Sequence, residues 1–143
     1  METVPSLRAI DVYLLSRVGK AGRRRLAERL AGIGFTLRHM AILSYLADRG
    51  PSAQREIGRA LAIDPSDLVG ALDELQGRDQ VRRERDPDDR RRHRVSLTPA
   101  GRTALRRCRR HAAAVDDEVL APLSAGDRRK LGELLGRLFD DLD

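Results

Sequence analysis

Apolar positions recur at three- and four-residue spacing along most of the chain, and switch to period two in one short stretch. Leu7, Ile10, Leu14 and Val18 share one face of a first long helix, which continues through Leu26 and Leu30 until Gly32 and Gly34 end it. Thr36 is placed to cap a second helix, Leu37 to about Asp48, with Met40, Leu43 and Ala47 on its inner face and Gly50-Pro51 closing it. Ser52 or Ala53 opens a short third helix whose Ile57 and Leu61 face inward. After the turn Ala62-Ile63-Asp64, Asp64 suits an N-cap, Pro65 the first helical position and Asp67 the first turn. Leu68, Leu72 and Leu75 then form a helical stripe to about Arg78.

The period-two stretch follows. Val81, Arg83 and Arg85 alternate before the turn cluster Asp86-Pro87-Asp88-Asp89, and Val95 and Leu97 alternate after it, which predicts a β-hairpin. Thr98-Pro99 is another cap and first-turn pair. Leu105, Cys108, Ala112, Val115 and Val119 continue as a heptad-like seam until Pro122 breaks it. Ser124 with Asp127 caps a last helix striped by Leu131, Leu134, Leu135 and Leu138. The fold class is mainly α with a small β-hairpin wing: a winged helix-turn-helix lobe over residues 35–98, flanked by terminal helices over 1–34 and 99–143, one structural domain overall. A lobe this small cannot bury the apolar faces at both chain ends, so these helices are expected to pair with a second copy in a homodimer.

Charge sharpens the picture. The net charge is +6, and the segment Arg82–Arg110 holds twelve arginines against four carboxylates, a local excess of eight that leaves the rest slightly acidic. Clustered positive charge is an electrostatic footprint for a polyanion. Aromatics are 3% with no tryptophan, which disfavours base stacking on single strands and favours double-stranded DNA. The lone Cys108 permits no internal disulfide, and the three histidines (39, 93 and 111) are scattered, so no metal or other cofactor is expected. No Ser/His/Asp or Cys/His grouping points to an enzyme, and Gly19-Lys20 lacks the rest of a phosphate loop. No apolar run approaches the roughly 18–20 residues of a membrane span, and no signal-peptide pattern opens the chain, so a cytoplasmic location is expected.

The set Gly50-Pro51, Glu56-Ile57-Gly58, Leu72-Asp73-Glu74-Leu75, Asp86-Pro87-Asp88-Asp89-Arg90-Arg91 and Val95-Ser96-Leu97-Thr98-Pro99-Ala100-Gly101-Arg102 resembles the MarR family of bacterial transcription regulators. The resemblance covers essentially the whole chain, and its most specific part is the Asp-Pro-x-Asp-x-Arg wing followed by Leu-Thr-x-x-Gly. It implies an obligate homodimer and a repressor of inverted-repeat operators that often releases DNA when a small ligand binds. Two adjacent pairs depart from the pattern. Val69 and Gly70 stand where relatives commonly carry Thr-Arg in the recognition helix, and Asp79-Gln80 replaces the usual Gly-Leu before the wing. The second change leaves the fold intact if Asp79 takes the left-handed conformation.

The candidate DNA-binding residues are Gln54, Arg55, Pro65, Ser66, Asp67, Val69, Gly70, Asp89, Arg90, Arg91 and Arg92. The Pro65–Arg78 helix is expected in the major groove. There Ser66 and Asp67 either reach bases and phosphates, Asp67 accepting from a cytosine amino group, or only cap the helix, and Val69 could touch a thymine methyl group. Arg91 is expected in the minor groove, fixed by a bidentate pair with Asp89, while Arg90 and Arg92 meet phosphates. By the family's architecture an effector pocket falls near Tyr13, Arg17 and His39, a set suited to a small aromatic carboxylate or phenol. Two alternatives stand beside the regulator reading: a redox sensor acting through Cys108, and an effector-independent architectural DNA binder.

Overall fold

The computed structural model describes residues 4–142. In chain order the elements are α1 (Pro5–Arg8), α2 (Asp11–Gly32), α3 (Leu37–Arg49), β1 (Ser52–Ala53), α4 (Gln54–Leu61), α5 (Pro65–Gly77), β2 (Val81–Arg85), β3 (His93–Leu97), α6 (Pro99–Val119) and α7 (Ala125–Asp140). The fold is mainly helical with a winged helix-turn-helix, as the periodicities indicate. Among the described residues no single helix is long and apolar enough to cross a membrane.

The chain divides into two compact units. One is Leu26–His111, and the other combines the chain ends up to Arg25 and from Ala112. The division falls inside the long helices α2 and α6. The larger unit has one core, in which Leu30, Ile42, Leu46, Ile57, Leu72 and Val95 are fully buried. Helices α2 to α6 and the sheet all contribute side chains to it.

Two elements differ from the sequence reading. The first helix is interrupted: Ile10 N–H bonds back only three residues to Leu7, and α2 starts at Asp11. Ser52 and Ala53 pair as β1 with Val95 and Arg94, making a three-stranded antiparallel sheet in the order β1-β3-β2, and Ala53 is at the same time the N-cap of the helix that follows. Helix α4 therefore begins at Gln54. In the terminal unit, Ser124 caps α7 by accepting from Asp127 N–H at 3.1 Å, and Arg128 pairs with Asp117 at 2.9 Å.

Candidate nucleic-acid interface

Helices α4 and α5 meet through a tight turn. Ala62 adopts the left-handed conformation (φ 52°), and Ile63 N–H donates to Gly58 O at 2.9 Å. A β-carbon on Gly58 would lie 3.1 Å from Leu68 Cδ2, so glycine lets the two helices close on each other. Asp64 caps α5, its Oδ1 accepting from both Ser66 N–H (2.9 Å) and Ser66 Oγ (2.6 Å). Those bonds hold the Asp64 carboxyl below the usual aspartate range, the Ser66 hydroxyl contributing most.

Leu68, Ala71, Leu72 and Leu75 bury one side of α5, leaving Ser66, Asp67, Val69, Gly70, Asp73 and Glu74 exposed. Each carboxylate on that exposed side has a partner from another element. Arg38 of α3 lies 3.6 Å from Asp67. His39 Nε2 lies 2.8 Å from Glu74 Oε2. Arg83 of β2 pairs with Asp73 and also donates to Gln76 Oε1 at 2.6 Å. The C-terminal end of α5 is anchored by Arg78, which donates to Gly34 O at 2.7 Å and sits 5.2 Å from the Phe35 ring centroid. None of these partnerships was read from the sequence, because each joins residues of different elements.

His39 has a local role as well. Its Nδ1 accepts from Thr36 N–H while Thr36 Oγ1 accepts from His39 N–H, both at 3.1 Å, a reciprocal cap on α3. With Nδ1 an acceptor, the proton resides on Nε2 and is donated to Glu74. Burial holds the imidazole below the ordinary histidine value of 6.5, against the opposing pull of Glu74. The spacing Thr36-x-x-His39 was a legible sign of this cap. Its long-range half was not.

The wing is a regular hairpin, with Val81 opposite Leu97, Arg83 opposite Val95 and Arg85 opposite His93. Asp89 organises its tip. Asp89 Oδ1 accepts from Arg91 N–H at 3.1 Å and from Arg91 Nε at 3.2 Å, and Arg92 Nε lies 3.6 Å from Oδ2. The expected bidentate guanidinium pair is thus replaced by one backbone and one side-chain bond to a single oxygen. These bonds, the backbone one first, hold the Asp89 carboxyl below its usual range. Arg91 remains 91% exposed and free to reach outward.

Arg91, Arg92 and His93 line a cleft of about 270 Å³ together with Ala53, Gln54 and Arg55 at the start of α4. Candidates chosen from two separate stretches of sequence are therefore neighbours. The base of the hairpin is clasped to α6. Thr98 Oγ1 donates to Asp79 O at 2.6 Å and accepts from Gly101 N–H at 3.0 Å. Asp79 takes the left-handed conformation (φ 59°), as its position required. A β-carbon on Gly101 would fall 2.1 Å from Gln80 O, which is the physical content of the Leu-Thr-x-x-Gly spacing.

A MarR family profile matches residues 33–92, from the end of α2 through the wing tip. The chain is 34% identical over 98 residues to the HTH-type transcriptional repressor NicR of Pseudomonas putida, an overlap covering 68% of this chain and 62% of that protein. It is also 34% identical to a probable transcriptional regulator from Pseudomonas aeruginosa, whose crystal structure matches with TM-score 0.76 over 92% of this chain and 98% of that one. The chain belongs to the MarR family. Another member, Rv2887 of Mycobacterium tuberculosis, is 28% identical and has been solved in complex with DNA, with TM-score 0.80 over 91% of this chain and 98% of that one. Rv2887 has also been solved with p-aminosalicylic acid.

The candidates suggested by MarR-family effector sites lie in different units. Tyr13 and Arg17 are one helical turn apart on α2 in the terminal unit, with Arg17 Nη1 3.4 Å from the Tyr13 hydroxyl and the guanidinium 5.9 Å from the ring centroid. His39 belongs to the larger unit and has both ring nitrogens engaged. Cys108 is fully buried in the lobe core, and burial pushes its thiol above the ordinary cysteine value, so little thiolate forms. Among the described residues no group of three or more His, Cys, Asp or Glu side chains is arranged to hold a metal ion.

Proposed function

We propose that this MarR-family chain is a homodimeric transcriptional repressor that binds an inverted-repeat operator, inserting α5 into the major groove and the arginine wing into the adjacent minor groove. The observation that carries the reading is the gathering of Gln54, Arg55, Arg91 and Arg92 around one cleft, in the same lobe as the capped helix α5. A localised excess of eight positive charges favours the polyanion, and relatives named as repressors or solved on DNA support the same function. Such a protein acts on chromosomal DNA, in the cytoplasm of a bacterial cell.

Dimerisation rests on the chain ends. Val12 is 75% and Phe139 72% exposed, and Ile10, Val18, Leu134, Leu135 and Leu138 are also exposed. Apolar surface on this scale is stabilised by burial at roughly 25 cal/mol per Å², and a second copy of the same helices supplies the matching face. An effector of the small aromatic acid type would use the Tyr13 ring and the Arg17 guanidinium, in keeping with the p-aminosalicylic acid complex of the mycobacterial relative. His39 has both ring nitrogens engaged, by Thr36 and Glu74, so the effector reading rests on Tyr13 and Arg17. The buried, protonated Cys108 weighs against a thiol sensor.

Footprinting on a duplex selected from a random library tests the reading. A dimer on one face of DNA protects two half-sites with centres about 10 base pairs apart. Saturation of a single half-site by one monomer would contradict it. Calorimetry with salicylate, with and without that duplex, tests the effector. Equal ligand affinity in both titrations removes the allosteric role, because coupling between two sites is reciprocal.

A further inference from the structure

A helix that enters the major groove normally brings donors or cations, yet α5 contains no lysine, arginine or histidine and carries three carboxylates. Left free, those carboxylates would repel phosphates. Instead Asp67, Asp73 and Glu74 are engaged by Arg38, Arg83 and His39, supplied by α3 and β2. The acidic residues are thereby tied to the lobe. The remaining exposed positions in the first two turns are Pro65, Ser66, Val69 and Gly70; Pro65 has no N–H to donate, and the Ser66 hydroxyl proton is directed at Asp64.

Two of these are poor choices for an exposed helix unless something approaches them. Val69 is 40% exposed, and valine loses rotamer freedom in a helix. Gly70 weakens the helix further, and a β-carbon placed there would meet nothing within 4 Å, so no packing inside the chain requires glycine. An isopropyl group cannot bond to N7, O6, N4 or N6 of the bases. The apolar feature of the major groove is the C5-methyl group of thymine. Glycine beside it allows the helix backbone to come close to a base edge.

We infer that Val69 reads a thymine C5-methyl group in each half-site, with Gly70 as the point of close approach, while Arg38, His39 and Arg83 hold the helix's carboxylates off the DNA. This deepens the operator-binding reading and rests on it. It assigns base discrimination to an apolar contact in a helix that contributes no positive charge.

The test uses the full chain and a duplex enriched by it from a random library. That duplex is resynthesised with deoxyuridine replacing thymidine at one symmetric pair of positions at a time, which removes only the methyl groups. One pair in the major-groove half-sites should weaken binding about fourfold per methyl, roughly the 0.8 kcal/mol of one buried carbon, and so about fifteenfold for the pair. Val69→Ala should abolish that sensitivity, whereas Val69→Thr, which keeps a methyl in place, should retain part of it. Gly70→Ala should raise the melting temperature yet weaken binding to the selected duplex, opposite signs that a purely structural glycine does not give. Enrichment of a defined sequence whose affinity is indifferent to every thymine-to-uracil exchange overturns this inference and leaves operator binding standing. Failure to enrich any sequence overturns operator binding, and this inference with it.

Discussion

The recognition helix and the wing approach the problem of DNA from opposite ends. Helix α5 is acidic, capped, packed on the core by Leu68, Leu72 and Leu75, and tied by ion pairs to α3 and β2. The wing tip is basic, exposed and held by a few bonds to Asp89. The helix carries no cation and has its carboxylates engaged by neighbouring elements, whereas the wing tip presents exposed arginines. Affinity that depends on salt and discrimination that depends on bases are thus assigned to different elements.

The largest expected effect breaks the helix side of this contrast from beneath. Leu72→Ala removes a fully buried side chain under α5 and should lower unfolding free energy by about 2–5 kcal/mol, read by urea denaturation. An effect under that range would mean that α5 is less firmly supported than its burial indicates. On the wing side, Arg91→Ala should leave stability unchanged, because the side chain is exposed, and should weaken binding to the selected duplex by about 1–3 kcal/mol. Unchanged affinity would remove Arg91 from the minor groove.

A smaller effect follows from His39. Its value in the folded chain lies below 6.5, so below pH 6.5 the unfolded chain binds more protons than the folded one. The stability associated with the neutral ring is fully present above pH 6.5 and is lost as pH falls through the lowered folded value. Protonation also turns Nδ1 into a donor and breaks the bond from Thr36 N–H. Urea midpoints measured across this range should fall on the acid side for the wild type, and less steeply for His39→Gln. Parallel curves for the two proteins would show that the cap and the Glu74 contact do not depend on the charge of His39.

Local chemistry made much of this legible in advance. Asp64-Pro65 and Thr98-Pro99 announce helix starts because capping is decided within three residues. The hairpin is visible because its two arms and its turn are contiguous, and Asp79 could be assigned a left-handed turn from its place before the wing. What sequence reasoning missed depends on distant pairing. Strand β1 is two residues long and exists only because β3, more than forty residues later, offers an edge. The partners of Asp67, Asp73 and Glu74 come from α3 and β2, and no spacing rule connects them. The engagement of the recognition helix's carboxylates became visible only once those pairs were in place.

The division of labour is tested most directly by the salt dependence of binding for wild type, Arg90→Ala and Val69→Ala, each on the selected duplex and on a scrambled one. The account predicts that Arg90→Ala lowers the slope of log Kobs against log salt by about one and leaves the ratio between the two duplexes intact. Val69→Ala should keep the slope and reduce the ratio. A changed slope for Val69→Ala, or a collapsed ratio with unchanged slope for Arg90→Ala, would contradict the assignment of charge to the wing and of base reading to the helix.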